Sequence, residues 1–386
     1  VSGYDIVEKT SNKIKVETNI ENVLKDKDFI FISVNTPHVE GYDGSTPVSH
    51  LETKDFDYTG VLNVLEKIKY VKNLNVVLIS TVLPKTCRNK FKEIIDSSKC
   101  NFIYNPYLIS IGTTAKDMLN PEMIILGNET GELTPVTQNL INLYKSILEK
   151  DNTRVELGTW EEAESIKMFY NVFISMKISF VNMIQDVAEN CMYIDSDKVN
   201  NALINSTDRI ISDAYMKPGM GDGGPCHPRD NIAIRHLSKS LSLNYDLFGS
   251  IVHSREEQAK QLAKILIKLS QDNMPIVILG KSFKHGTDIT DGSYSLLIGY
   301  YIKELNSSIP LYYDKCNNNE SCVYLLAHRG EHYNYPFYAN SIVVDPWREF
   351  NPSINKKISI YYYGNSNIYE LNKQQNKNSQ LNILSR

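Results

Sequence analysis

Cys226 follows a stretch that can form neither a regular helix nor a strand, because four of the six residues from Gly219 to Gly224 are glycine. Each glycine costs backbone entropy and brings no side chain to pack. In return the run Gly219-Met220-Gly221-Asp222-Gly223-Gly224-Pro225-Cys226 gives a backbone that can wrap closely around something and keep its N–H groups free to donate. Arg229 and Asp230 stand three and four residues beyond the thiol. A thiol beside a cation and a carboxylate can be held as thiolate and still receive a proton during a reaction. A glycine-rich surface loop with an incidental cysteine is the plainer reading, but the combination favours a nucleophile loop. A second pair, Lys167 and Asn171, is spaced four apart in a long apolar run, so both side chains share one helix face. Alone, such a pair is a solvated lysine beside an ordinary asparagine. Lys284, in a turn after an apolar run, reads by itself as solvated too.

The elements around these residues alternate. Phe29–Val34, Val76–Ser80, Phe102–Tyr104 and Met123–Leu126 are short β-rich runs of the kind buried on both faces of a parallel sheet. Between the first two, Val61, Leu62, Val64, Leu65 and Ile68 recur at helical spacing. Glu161 to Asn190 then runs without Pro or Gly and with dense apolar positions, which predicts one long helix with a broad buried face, suited to joining domains or pairing subunits. Alternation resumes with Ile276–Gly280, Leu311–Tyr313, Cys322–Leu326 and Ile342–Asp345. The expected fold is α/β: two Rossmann-like, doubly wound parallel-sheet domains joined by a central helical domain. The expected divisions are 1–155, 156–272 and 273–364, with an Asn/Gln/Lys/Ser-rich, disordered tail over 365–386.

A chain of 386 residues with 42% hydrophobic and 22% charged residues describes a globular protein of two or three domains. The net charge of −4 argues against nucleic acid as a partner. Without a run of about 18 apolar residues no membrane span is expected, and no signal peptide is visible at the start. Six cysteines without paired spacing suit a reducing, cytoplasmic setting, and no Cys/His spacing suggests a metal.

The cysteine loop resembles that of the nucleotide-sugar dehydrogenases, the UDP-glucose/GDP-mannose 6-dehydrogenase family. The resemblance runs over about residues 28–350. It implies oxidation of the C6 alcohol of a nucleotide sugar, UDP-glucose foremost, to the uronic acid, with two NAD⁺ and a thioester on Cys226. It implies that Lys167 and Asn171 steady the alkoxide and oxyanion and contact the sugar, that Asp230 assists proton movement, and that Gly219, Gly221, Gly223, Gly224 and Lys284 line the substrate. Val34, Asn35, Thr36 and Pro37 resemble the family's turn against the cofactor. Ser80 and Thr81 resemble its second turn, where Thr81 faces NAD⁺ and the catalytic water. Trp347, at the end of the last strand, either stacks or fills the core. The resemblance also implies a homodimer, built on the long helix.

Three features depart from the family pattern. Asp222 stands where an aromatic residue is usual. Tyr107 and Ile111 replace two glutamates that activate water for thioester hydrolysis, and neither can accept a proton as a carboxylate can. No G-x-G-x-x-G precedes residue 30, so the glycine turn is expected upstream of Val1. Val1–Ile6 would then end the second strand, with Asp5 bonded to the adenosine ribose or, equally, solvated. These departures leave two alternatives: an impaired or repurposed member that binds nucleotide sugar or serves a structural role, and an enzyme that stops at the aldehyde or the thioester.

Overall fold

The computed structural model describes residues 1–364 apart from 8, 43–45, 72, 111, 151, 192, 213, 317–319 and 352–356. Ile111 and the tail 365–386 therefore lie outside the described residues. The chain divides into two compact units, Val1–Ser179 and Phe180–Arg386.

In the first unit β1 (Ser2–Gly3) and β2 (Lys15–Val16) form a small parallel pair of their own, followed by α1 (Ile20–Leu24). The main sheet comprises β3 (Ile30–Ile32), β4 (Asn75–Leu78), β5 (Asn101–Tyr104), β6 (Met123–Asn128) and β7 (Arg154–Thr159), side by side in that order. Its helices are α2 (Thr59–Ile68), α3 (Lys92–Ser98, entered through a π-helical turn at Cys87–Phe91), α4 (Thr114–Leu119) and α5 (Pro135–Ile147). Val76, Val77 and Leu78 are fully buried, as strands covered on both faces require.

Three features correct the sequence reading here. The sheet is not parallel throughout, because β5 and β6 pair antiparallel at Tyr104 and Gly127. A parallel return needs a crossover that packs on the sheet, and α4 between them buries none of its residues. The strand expected over Val1–Ile6 is two residues long, and it pairs with β2. The expected boundary at 155 falls inside β7, whose last residue is Thr159.

α6 (Trp160–Asn190) is the expected long helix. Its first two turns are buried at Trp160, Ala163, Glu164 and Lys167. Residues 171–182 are all exposed, so Phe173, Met176, Ile178 and Phe180 present an apolar surface.

The second unit carries α7 (Ser196–Ile204), α8 (His227–Ser240) and α9 (Leu247–Leu269), then β8 (Ile276–Leu279), α10 (Tyr294–Leu305), β9 (Leu311–Tyr313), β10 (Val323–Leu326), β11 (Ile342–Asp345) and β12 (Ser359–Tyr362). Its sheet is parallel at every pairing, in the order β12-β11-β10-β8-β9. α9 and α10 pack together over the β8–β10 core through Leu262, Leu266, Ile298 and Ile302. The order reverses between β8 and β10. In open α/β sheets, ligands bind in the crevice outside such a switch point.

Among the described residues no helix is long and apolar enough to cross a membrane, and no group of three His, Cys, Asp or Glu side chains could hold a metal ion.

Candidate active site

In the first unit the turns after β3 and β4 are stitched together by hydroxyl groups. Buried Ser80 donates its hydroxyl to the Val34 carbonyl at 2.5 Å, and Thr36 donates to the Thr81 carbonyl at 2.6 Å. Val34 and Thr81 are half-buried, whereas Asn35 and Pro37 are exposed. These bonds bring Val34, Thr36, Ser80 and Thr81 together at the carboxyl ends of two parallel strands, though the bonded residues lie 45 and 46 positions apart. Asp5 is not part of this group through any bond of its carboxylate to the turns. It is exposed and accepts from the Val7 N–H at 2.9 Å.

Lys167 is 8% exposed, and its ammonium donates to the Tyr107 main-chain carbonyl at 2.7 Å. Burial lowers its pKa, since a desolvated ammonium is costly. Asn171 is one turn further along α6 and exposed.

Tyr107 turns its side chain inward. Its hydroxyl donates to Tyr144 at 2.7 Å, Tyr144 donates to the Asn105 amide oxygen, and Asn105 donates to the Ile125 carbonyl at 2.7 Å. Burial raises the pKa of both tyrosines. The residue thus offers the lysine a carbonyl and commits its hydroxyl to the interior.

Glu164 is the residue the sequence reading passed over. It is fully buried, three residues before Lys167, and accepts the N–H of Lys85 at 2.6 Å and of Cys87 at 2.8 Å. Burial pushes its pKa up against those two bonds. A carboxylate placed there fastens the Thr81–Cys87 loop to α6 and satisfies the open N–H groups of the turn that starts at Cys87. The available signal was an acid and a base three apart on the apolar-flanked start of a helix.

In the second unit Cys226 is exposed and is the N-cap residue of α8, with the Asp230 N–H donating to its carbonyl at 2.8 Å. Arg229 and Asp230 pair with each other, Nε to Oδ1 at 2.9 Å, so each carries a partner of opposite charge on the helix's first turn.

The glycines before Cys226 lie against side chains and backbone of the same unit. A Cβ on Gly219 would enter the Trp347 ring, one on Gly221 the Tyr294 ring, and one on Gly224 would stand 2.8 Å from the Phe283 ring. Gly223 has the same problem with the Gly292 carbonyl at 2.9 Å, and Gly224 holds φ +84°. Trp347 covers Gly219 and is anchored as well, since its indole N–H donates to the Leu326 carbonyl at 3.0 Å.

The loop therefore rests on the turns that follow β8 and β11. Lys284 is exposed on the first of these, its ammonium 5.4 Å from the Phe283 ring centre. At the switch point buried His328, after β10, donates from Nε2 to the Ser282 carbonyl at 3.0 Å and sets Nδ1 against Glu331. Glu331 also meets His285 at 3.0 Å. Burial raises its pKa, but the bonds from His328 and His285 outweigh that and hold it low.

A largely parallel α/β sheet with hydroxyl-bearing turns at its strand ends, and a thiol loop carried on a second such sheet, describe a class: an NAD-dependent oxidoreductase. Comparison with known proteins narrows it. The NAD binding domain of the UDP-glucose/GDP-mannose dehydrogenase family matches residues 4–148, and the central domain of that family matches residues 161–257. The chain belongs to this family. It is 26% identical over 304 residues to the UDP-glucose 6-dehydrogenase of Campylobacter jejuni, an alignment spanning 78% of this chain and 70% of that one. It is 27% identical over 290 residues to the GDP-mannose 6-dehydrogenase of Pseudomonas aeruginosa, spanning 72% of this chain and 62% of that one. The crystal structure of a ternary complex of the Pseudomonas GDP-mannose dehydrogenase shares the fold, with a TM-score of 0.72 at 24% identity over 90% of this chain and 85% of that one.

Proposed function

We propose that the protein oxidises the C6 hydroxyl of a nucleoside-diphosphate sugar, UDP-glucose foremost, twice, through an aldehyde to the carboxylate. The observation that carries the reading is the glycine loop, whose four glycines let the backbone of Cys226's loop press onto Phe283, Tyr294 and Trp347. NAD⁺, when bound, accepts one hydride in each oxidation. The residues fit it: the turns of Val34–Pro37 and Ser80–Thr81 open at the carboxyl ends of parallel strands, where a dinucleotide belongs.

The buried ammonium of Lys167 stabilises the alkoxide as the alcohol loses its proton to water, with Asn171 in support. The thiolate of Cys226 then forms a C–S bond to the aldehyde carbon, and Lys167 meets the resulting oxyanion. Loss of the second hydride leaves a thioester, and water cleaves the C–S bond to release the acid and regenerate the thiol, with Asp230 carrying the proton. Preorganised charge facing a developing oxyanion in a dry site supplies about 3–4 kcal/mol of such a barrier. The side chain of Tyr107 takes no part in the last step on this reading, because its hydroxyl is committed to Tyr144.

On the same reading 1–159 holds the cofactor, with Asp5 toward the ribose, 160–272 carries the thiol and the dimer helix, and 273–364 holds the nucleotide at Lys284. The exposed apolar residues Phe173, Met176, Ile178 and Phe180 support a homodimer, which a one-chain mass by light scattering at micromolar concentration would rule out. Six free cysteines support a cytoplasmic location, which fractionation of the native host checks.

The test is NADH released per sugar consumed over a panel of UDP- and GDP-sugars. Two NADH, lost in Cys226→Ser, support the full reading. One NADH per sugar, with free aldehyde, shows an enzyme that stops at the aldehyde, and a single burst of two NADH per enzyme with the acyl sugar left on Cys226 shows one that stops at the thioester. None from a protein that binds the sugar leaves the repurposed scaffold, a reading the comparisons do not favour.

A further inference from the structure

Arg255, on α9, bonds the thiol loop at both the side chain and the main chain of Asp222. Its side chain is only 15% exposed. Nε donates to the Asp222 carboxylate at 2.6 Å and lies 3.3 Å from the Asp222 carbonyl, and Nη2 reaches that carbonyl at 3.2 Å and the Gly292 carbonyl at 2.9 Å. The guanidinium also lies 5.4 Å from the centre of the Tyr294 ring, the ring that excludes any side chain at Gly221.

One planar fork thus bonds two separate backbone segments, the loop leading to Cys226 and the turn between Lys284 and α10. These segments meet at Gly223, Gly224 and Gly292, and glycine contacts give close approach without interlocking side chains. A lysine could pair with Asp222 but could not span both carbonyls and stack at once. Arg348 secures the other end of the loop, donating to the Pro218 carbonyl at 2.7 Å.

We infer that Arg255, acting through Asp222 and Gly292, is a positioning residue that sets the register of the Cys226 loop on the Lys284 turn and so governs nucleotide-sugar affinity. The inference rests on the proposed function for its substrate and on these contacts for its geometry.

The test has two independent readouts on the full chain. In steady-state kinetics Arg255→Ala raises the KM for the nucleotide sugar about ten-fold or more, leaves the KM for NAD⁺ unchanged and changes kcat by less than about three-fold. Arg255→Lys recovers part of the loss, and adding Asp222→Asn to Arg255→Ala costs little more, because the two act as one unit. An unchanged sugar KM, or an equal rise in both KM values, overturns the inference.

In hydrogen exchange without any ligand, the Gly219–Gly224 amides of Arg255→Ala exchange about ten-fold faster while those of β8 and β10 stay protected. Equal exchange in variant and wild type overturns the clamp even in an active enzyme. Faster exchange in a protein that turns over no nucleotide sugar upholds the clamp and removes the proposed function instead. Should Arg255→Ala not fold, Arg255→Lys alone carries both readouts.

Discussion

Lys167 and Cys226 are held by opposite means. The lysine sits almost wholly inside the first unit, its ammonium on the Tyr107 carbonyl and its helix fastened by Glu164 to the loop after β4. The cysteine is exposed in the second unit, on a loop whose backbone presses against three aromatic rings. In one region a charge has been moved into the protein and its surroundings built to tolerate it. In the other a nucleophile has been left accessible while the chain behind it is immobilised. A group that acts by its charge gains from low dielectric, whereas a group that must form a bond needs reach and a fixed origin. The same contrast covers Tyr107 and Asp222. The Tyr107 hydroxyl is absorbed into a hydrogen-bond chain, while the Asp222 carboxylate is answered by Arg255.

The sharpest way to break the comparison is Lys167→Met. It is expected to lower kcat/KM about 10²–10³-fold, as for loss of a transition-state charge partner, read from initial NADH rates. At neutral pH it should leave stability unchanged or raised, because an apolar isostere removes a buried charge whose partner is a neutral carbonyl. The pH dependence follows from the sign of the shift. The folded pKa is below the ordinary 10.5, so between the two values the unfolded chain holds the proton and the folded one does not. Wild-type stability is therefore regained as pH rises through that window, and the variant's advantage shrinks there. A urea midpoint at pH 7 well below that of the wild type would show the ammonium to be stabilising after all.

Gly219→Ala comes next. A methyl group driven into the Trp347 ring should cost about 1–3 kcal/mol of strain and raise the nucleotide-sugar KM, while Trp347→Leu in the same chain restores both. An unaltered KM in the Gly219→Ala variant would mean that the loop is not held by the rings. The smallest effect is expected for Tyr107→Phe, which removes one buried hydroxyl partner and should cost about 1 kcal/mol with turnover changed less than about two-fold. A large fall in turnover would return Tyr107 to the chemistry and weaken the contrast between a committed interior and a reactive surface.

Much of this could be read along the chain. The alternating apolar runs gave four of the five strands of each main sheet, without β7 and β12, and Glu161–Asn190 gave the long helix, because buried parallel strands and uninterrupted helices leave local patterns. The glycines before Cys226 were legible as a place of close approach, although what approaches them includes rings of the same chain as far onward in sequence as Trp347. The direction of β6 was not legible, since an apolar run reads the same in a parallel or an antiparallel pair.

By itself the sequence determined the residue types, their order and the local periodicities: a thiol after glycines, a lysine on a helix, hydroxyls after strands. Those follow from backbone entropy and side-chain repeat, which need only neighbours. Only the tertiary structure decided that Glu164 holds Lys85 and Cys87, that Tyr107 points at Tyr144, and that Arg255 bridges Asp222 and Gly292. These partners lie 33 to 79 positions apart. A buried polar group must be satisfied by whatever the packing brings within about 3 Å of it, and no local pattern specifies that.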